Sequence, residues 1–547
     1  MNALRTTACA LALLGCATTP APAPTTPATS ADATSVTMEK GAVQREAPPA
    51  AQPRKEVHFP AIVRSTTSNG LELDVVELHQ LPVVQLRLVI RSGGATDPAD
   101  LPGLAQLTAA MLKEGTYKKS SQKLAEAVDF LGASLDVGSD EDTLVVSMQA
   151  LAEHFDEALS LVAEVATKPL FSEDELGKLK TRELARIDLQ SQSPHFLANR
   201  ELSKALYGEH PYNHIDTTKA AVKRVKRTDL TQWHRRFMAP NNAFLVVAGD
   251  VTQEQVKTAT ERAFAGWQSH AIPKLDVKAP PERSARSVVL VDRPKSVQSV
   301  IYFANLSLTR ADPDYVPLTV INQVLGGSAA ARLFMDLREK RSLTYGAYSD
   351  IEERVQVGPF TASAAVRNEV TAEALRAFEE HLERIVREAP GADELTAAKR
   401  YLIDRFPLRI ETSDRIAGLV AELRTHSLPD TYWDTFEAQV SAVTPEQALA
   451  VAQKHIRPQQ SLLVVVGDAA VVKSTLDAYG PVTVVDTDGK LIVGPGAPAA
   501  AASAPTAAPV AAVPAAAVRA AAAPAAAPAA AAAPAPAAAP AAPKKGP

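Results

Sequence analysis

Apolar and polar positions change period several times along residues 60–480. From Gln85 to Arg91 they alternate, with Leu86, Leu88 and Ile90 on one side and Gln85, Arg87 and Arg91 on the other. Successive side chains of a strand leave opposite faces, so this run predicts an antiparallel strand with one buried face. Leu144, Val146 and Met148 repeat the alternation. Phe155, Leu159, Val162 and Ala166 recur instead at steps of three and four, as do Leu375, Phe378, Leu382 and Ile385. That spacing lays one apolar stripe along a helix. Strands pair with strands before the helices follow, which predicts an α+β fold: mostly antiparallel sheets packed by helices.

The pattern occurs twice. Val84-Gln85-Leu86 corresponds to Val297-Gln298-Ser299, Asp97-Pro98 to Asp312-Pro313, and Asp174-Glu175-Leu176 to Asp393-Glu394-Leu395. Val246-Val247-Ala248-Gly249-Asp250 corresponds to Val464-Val465-Val466-Gly467-Asp468. Four anchors in one order at nearly one offset predict two copies of one domain-sized α/β unit. The expected boundaries are 57–270 for the first domain, 271–286 for a linker marked by the prolines from Pro273 to Pro281, and 287–485 for the second.

Composition changes the picture at the ends. Residues 16–56 are rich in Pro, Ala and Thr and read as a tether. Residues 486–547 are read as a disordered tail, almost entirely Ala and Pro from 496 onward. Residues 1–15 have Arg5 ahead of a short apolar run, Ala8 to Leu14, which predicts a signal peptide. The run ends in Leu13-Leu14-Gly15-Cys16, similar to a bacterial lipobox, with cleavage before a lipidated Cys16; a plain signal peptide cut near Ala17 is the alternative. Acyl chains on Cys16 would anchor the chain to a membrane. Ala17 after the cysteine resembles the outer-membrane default, so the expected location is the bacterial envelope, facing the periplasm.

The net charge of −5 gives no overall field for nucleic acid. The basic run Lys223, Arg224, Lys226, Arg227 lacks interleaved aromatics and reads as a solvated helix end. Cys9 and Cys16 are the only cysteines, so the body of the chain has no disulfide, thiolate nucleophile or sulfur ligand.

Gly103-Leu104-Ala105-Gln106-Leu107-Thr108-Ala109-Ala110-Met111-Leu112, followed by Gly115-Thr116, resembles the zinc helix of M16 (insulinase/pitrilysin-type) peptidases. The Asp97-Pro98 turn, Phe130-Leu131-Gly132-Ala133, Pro240-Asn241-Asn242 and the Val-Val-Ala-Gly-Asp strand extend the resemblance from about residue 60 to about 480. The family's active members carry His-x-x-Glu-His on that helix. Histidines at i and i+4 share a face and bind zinc together, and the glutamate acts as general base on the metal-bound water. The matching positions here are Gln106, Ala109 and Ala110, which supply neither imidazole nor carboxylate. The third ligand of active relatives lies on a later helix, where Glu183 and the position of Arg186 are the candidates. The 11 histidines offer no replacement motif; His210 and His214 flank Pro211 in a loop and read as structural.

The second copy resembles the family differently. Leu337-Arg338-Glu339-Lys340-Arg341-Ser342-Leu343-Thr344-Tyr345-Gly346 is similar to the segment carrying an Arg/Tyr pair that contacts substrate across the chamber. The resemblance therefore implies a chain with no catalytic residues and no metal of its own, using Arg338 and Tyr345 for substrate binding. Its expected partners are a zinc-bearing M16 chain, which would hold the only metal, and an unfolded peptide. The alternative is an envelope-anchored peptide-binding or scaffold protein with no part in proteolysis.

Overall fold

The computed structural model describes residues 57–275 and 277–494. The expected signal peptide, Cys16, the tether and the Ala/Pro tail beyond 494 lie outside the described residues. Among the described residues, no helix is long and apolar enough to cross a membrane.

Two sheets form the framework. The first contains β1 (Val63–Thr66), β2 (Glu72–Glu77), β3 (Val83–Ile90), β4 (Ser134–Ser139), β5 (Leu144–Leu151) and β6 (Ala243–Gly249), in the order β1-β2-β6-β3-β5-β4. The second contains β7 (Ser287–Asp292), β8 (Gln298–Leu306), β9 (Thr344–Ile351), β10 (Pro359–Arg367), β11 (Leu462–Gly467), β12 (Val482–Val485) and β13 (Leu491–Val493), in the order β13-β12-β7-β11-β8-β10-β9. The runs β2-β6-β3-β5-β4 and β7-β11-β8-β10-β9 have the same order and senses: one parallel pair, β2 with β6 or β7 with β11, then antiparallel neighbours. The repeat in the sequence is thus a repeat of folded units, each a mostly antiparallel sheet packed by helices.

The units exchange helices. Pro194–Tyr207, from the first unit, lies on β11 and β8 of the second sheet and buries Leu197, Ala198, Leu202 and Leu206 there. Its counterpart Ser413–Thr425 lies on β3 and β6 of the first sheet. This exchange corrects the expected one-sided strand. Leu86, Leu88 and Ile90 enter the first core as expected, but Gln85 and Val89 on the other face are buried too. Gln85 donates to Ser147 Oγ at 2.7 Å, and Arg87 pairs with Asp414 of the covering helix at 2.8 Å. These side-chain partners offset much of the cost of covering a polar face.

The second unit also extends beyond the expected boundary at 485. Val484 and Val485 pair with Val493 and Leu491 across a turn in which Asp486 Oδ1 accepts from the amides of Asp488 and Lys490, each at 2.9 Å. An Asp side chain that caps its own turn closes a hairpin, so ordered structure continues to 494.

Candidate functional site

The helix Leu104–Leu112 starts at Gly103, whose φ of +83° suits glycine. A Cβ at Gly103 would lie 2.3 Å from the Thr217 side chain, so glycine also lets the loop containing Asp216 press against the start of the helix. Asp97 caps this helix, accepting from Gly103 N at 2.7 Å and Ala105 N at 2.8 Å. Burial raises its carboxyl pKa to about 7 despite those donors.

Gln106 and Ala110, one turn apart, line a cavity of about 270 Å³ with Val137, Gly138 and Ser139 of edge strand β4 and with Glu183 and Arg186 of the helix Glu173–Gln190. The structure therefore brings the two motif positions and both third-ligand candidates together. Ala109 faces elsewhere and is 1% exposed within the first core.

Arg186 dominates this cavity. Asp216 holds it with two bonds, 2.6 and 2.8 Å; Glu183 Oε2 lies 2.7 Å from its Nε, and Gln190 accepts at 2.6 Å. These bonds, the pair to Asp216 foremost, raise the guanidinium pKa further. Glu183 and Asp216 expose only 15% and 7% of their side chains. The donor set does not fit zinc. The helix offers a carboxamide and two methyl groups, and the nearest carboxylates already bind a fixed cation. The Arg186–Asp216 pair was not foreseen, because residues 30 apart in sequence carry no spacing signal.

His210 and His214 border an adjoining cavity of about 230 Å³ with Asp97, Gln106 and Asp216. His210 is buried, accepts from Tyr212 N at 3.1 Å and packs against Tyr207 and Tyr212, as a structural histidine does. The close acidic and histidine group found among the described residues is Asp312, Asp314 and His455. There Asp314 is already held by Lys454 at 2.6 Å and His455 at 2.9 Å.

Arg338 and Tyr345 occupy a different environment, on a segment with three backbone irregularities. Arg338 lies in a π-helical turn, Met335–Lys340. Ser342 has a φ of +54°, uncommon for a residue with a Cβ. The β9–β10 register then passes from Thr344 opposite Val366 to Ala347 opposite Ala364, so Tyr345 and Gly346 together face one residue. This β-bulge sits on an edge strand and leaves Tyr345 80% exposed. Arg338 is 46% exposed, has Glu339 at 3.4 Å, and lies over the Phe334 ring at 4.8 Å. π-turns and bulges concentrate where a side chain must be aimed. Their common signal in the sequence is faint: Gly346 directly after the tyrosine.

Comparison with known proteins identifies the family. Residues 75–217 match the family described as Insulinase (Peptidase family M16), and residues 224–402 match the Peptidase M16 inactive domain. A crystal structure of a peptidase M16 inactive domain from Pseudomonas fluorescens is 31% identical, with a TM-score of 0.70 over 74% of this chain and 98% of that one. The chain belongs to the M16 peptidase family. Among its relatives is a Helicobacter pylori protein named as a non-peptidase homolog, YmxG. It is 26% identical over 343 residues, 61% of this chain and 78% of the relative. A Bacillus subtilis protein named an uncharacterized zinc protease, also YmxG, is 23% identical over 354 residues, 64% of this chain and 85% of that one.

Proposed function

We propose that this chain is the non-catalytic partner of a zinc-bearing M16 chain and supplies Arg338 and Tyr345 to a peptide bound between the two. The observation that carries this reading is the contrast in donors. Arg186 spends its hydrogen bonds inside the fold, whereas Arg338 and Tyr345 are presented outward on irregular backbone. A guanidinium and a phenol are both donors, suited to a peptide carbonyl or to the oxyanion formed when it is attacked. β4 and β9 are open sheet edges to which an extended peptide can add by main-chain bonds. Any zinc would belong to the partner chain. We also propose lipidation at Cys16 and an envelope location; Cys16→Ser should abolish acyl labelling and release the protein from membranes.

Reconstitution with a zinc-bearing M16 chain from the same genome tests the central reading. Arg338→Ala or Tyr345→Phe should lower kcat by about 10²–10³ if the donor acts on the transition state. A positioning role would raise KM with kcat nearly intact. Unchanged kcat and KM, with the complex still assembled, would overturn the proposal in favour of a scaffold.

A further inference from the structure

We infer that Phe334 and Tyr348 are positioning residues for Arg338; the inference rests on the proposed role of Arg338 in peptide binding. The guanidinium of Arg338 lies 4.8 Å from the centroid of the Phe334 ring. Phe334 is itself 5.6 Å from the ring of Tyr348. A cation over an aromatic face is attracted by the ring's quadrupole and loses the freedom to sweep through solvent. Phe334 is buried at the end of a short helical segment, Arg332–Phe334, immediately before the π-turn, so its ring is a fixed platform. Tyr348 lies on β9 and packs against the Phe334 ring at a tilt of 50°.

Gly346 makes room for that arrangement. A Cβ there would lie 2.7 Å from Cε2 of the Tyr348 ring and 3.3 Å from its hydroxyl oxygen. A side chain at 346 would push the ring aside. Thr344 Oγ1 fixes the same bulge, donating to Ala365 O at 2.7 Å and accepting from Gly346 N at 3.2 Å. One bulge therefore turns Tyr345 outward and seats Tyr348 against Phe334, so the two exposed donors share a single support. Tyr348 is half-exposed, and its ring, rather than its hydroxyl, makes the contact with Phe334.

The test uses the full chain reconstituted with its zinc-bearing partner and a fluorogenic unfolded peptide. Phe334→Leu keeps an apolar side chain but removes the ring face; it should lower kcat/KM roughly three- to tenfold, the range expected for one cation–π contact. Tyr348→Ala should do the same, Tyr348→Phe should behave as wild type, and Gly346→Ala should resemble Tyr348→Ala. In an Arg338→Ala background, Phe334→Leu should have no further effect, because the ring acts only through the guanidinium. Phenylglyoxal modification of Arg338, mapped by mass spectrometry on the chain alone, should quicken in Phe334→Leu and Tyr348→Ala but not in Tyr348→Phe. An additive loss in the double variant, or unchanged modification rates, would overturn the positioning role. If Arg338→Ala itself leaves hydrolysis unchanged, the proposed function fails instead, and the modification rates still report on the stack.

Discussion

β4 and β9 hold equivalent places at the ends of the two repeated sheets, yet the residues beside them have opposite fates. Next to β4, Arg186 is enclosed by Asp216, Glu183 and Gln190, and the cavity it lines with Gln106 and Ala110 is chemically closed. Next to β9, Arg338 and Tyr345 reach solvent from a π-turn and a bulge. A group whose bonds are satisfied inside the fold contributes structure. A group set on unusual backbone and left outside has bonds to give to another molecule. On the proposed function the repeat divides the labour between its copies: the first has a closed cavity where active relatives would hold metal, and the second offers outward-facing donors.

The comparison breaks most readily at Arg186. Arg186→Ala would leave two largely buried carboxylates without their cation, and breaking such a pair costs about 3–5 kcal/mol. The partial exposure of Arg186 favours the lower end of that range. Urea denaturation should reveal the loss; a change under about 0.5 kcal/mol, typical of a surface substitution, would remove the distinction between the two arginines.

Restoring the motif probes the same closure. The triple variant Gln106→His, Ala109→Glu, Ala110→His should acquire neither stoichiometric zinc nor hydrolysis, because Arg186 still binds Glu183. It should also lose about 2 kcal/mol, since Ala109 is packed in the core and a larger charged side chain there is strained. Metal analysis and a denaturation curve check both parts. One zinc per chain with chelator-sensitive cleavage would show that the cavity is still a metal centre.

Asp97 gives a pH-dependent effect. Burial raises its carboxyl pKa from an ordinary 3.8 to about 7, so the folded chain holds this proton where the unfolded chain has released it. Its contribution is fully present below about pH 4 and is lost as pH rises through about 7. Asp97→Asn should remove that part of the slope, at most about 1.4 kcal/mol per pH unit for one proton. Burial also raises the Glu422 carboxyl pKa, so the difference between variant and wild type is the quantity to follow. Parallel stability–pH curves would contradict the assignment.

The smallest expected change sharpens the contrast. Arg338→Ala should alter the stability of the isolated chain by less than about 0.5 kcal/mol, because its nearest carboxylate is an exposed neighbour at 3.4 Å. A loss comparable to that of Arg186→Ala would make Arg338 another structural cation.

Much of the fold was legible in the sequence because periodicity and repetition are local or additive signals. The alternation around Leu86 gave a strand, the stripe from Phe155 to Ala166 fell on the helix Phe155–Thr167, and the paired anchors gave two units. The loss of the zinc motif was equally legible, since ligand spacing on one helix is fixed by 3.6 residues per turn and the side chains at 106, 109 and 110 either can or cannot bind metal. Tertiary structure decided the rest. It covered the polar face of β3 with a helix more than 300 residues away, brought Asp216 onto Arg186, and placed Phe334 beneath Arg338. It also continued the second sheet beyond 485. None of these contacts has a period or a spacing. Each depends on which surfaces meet once both units are folded, and there partner groups decide whether an arginine is enclosed or presented.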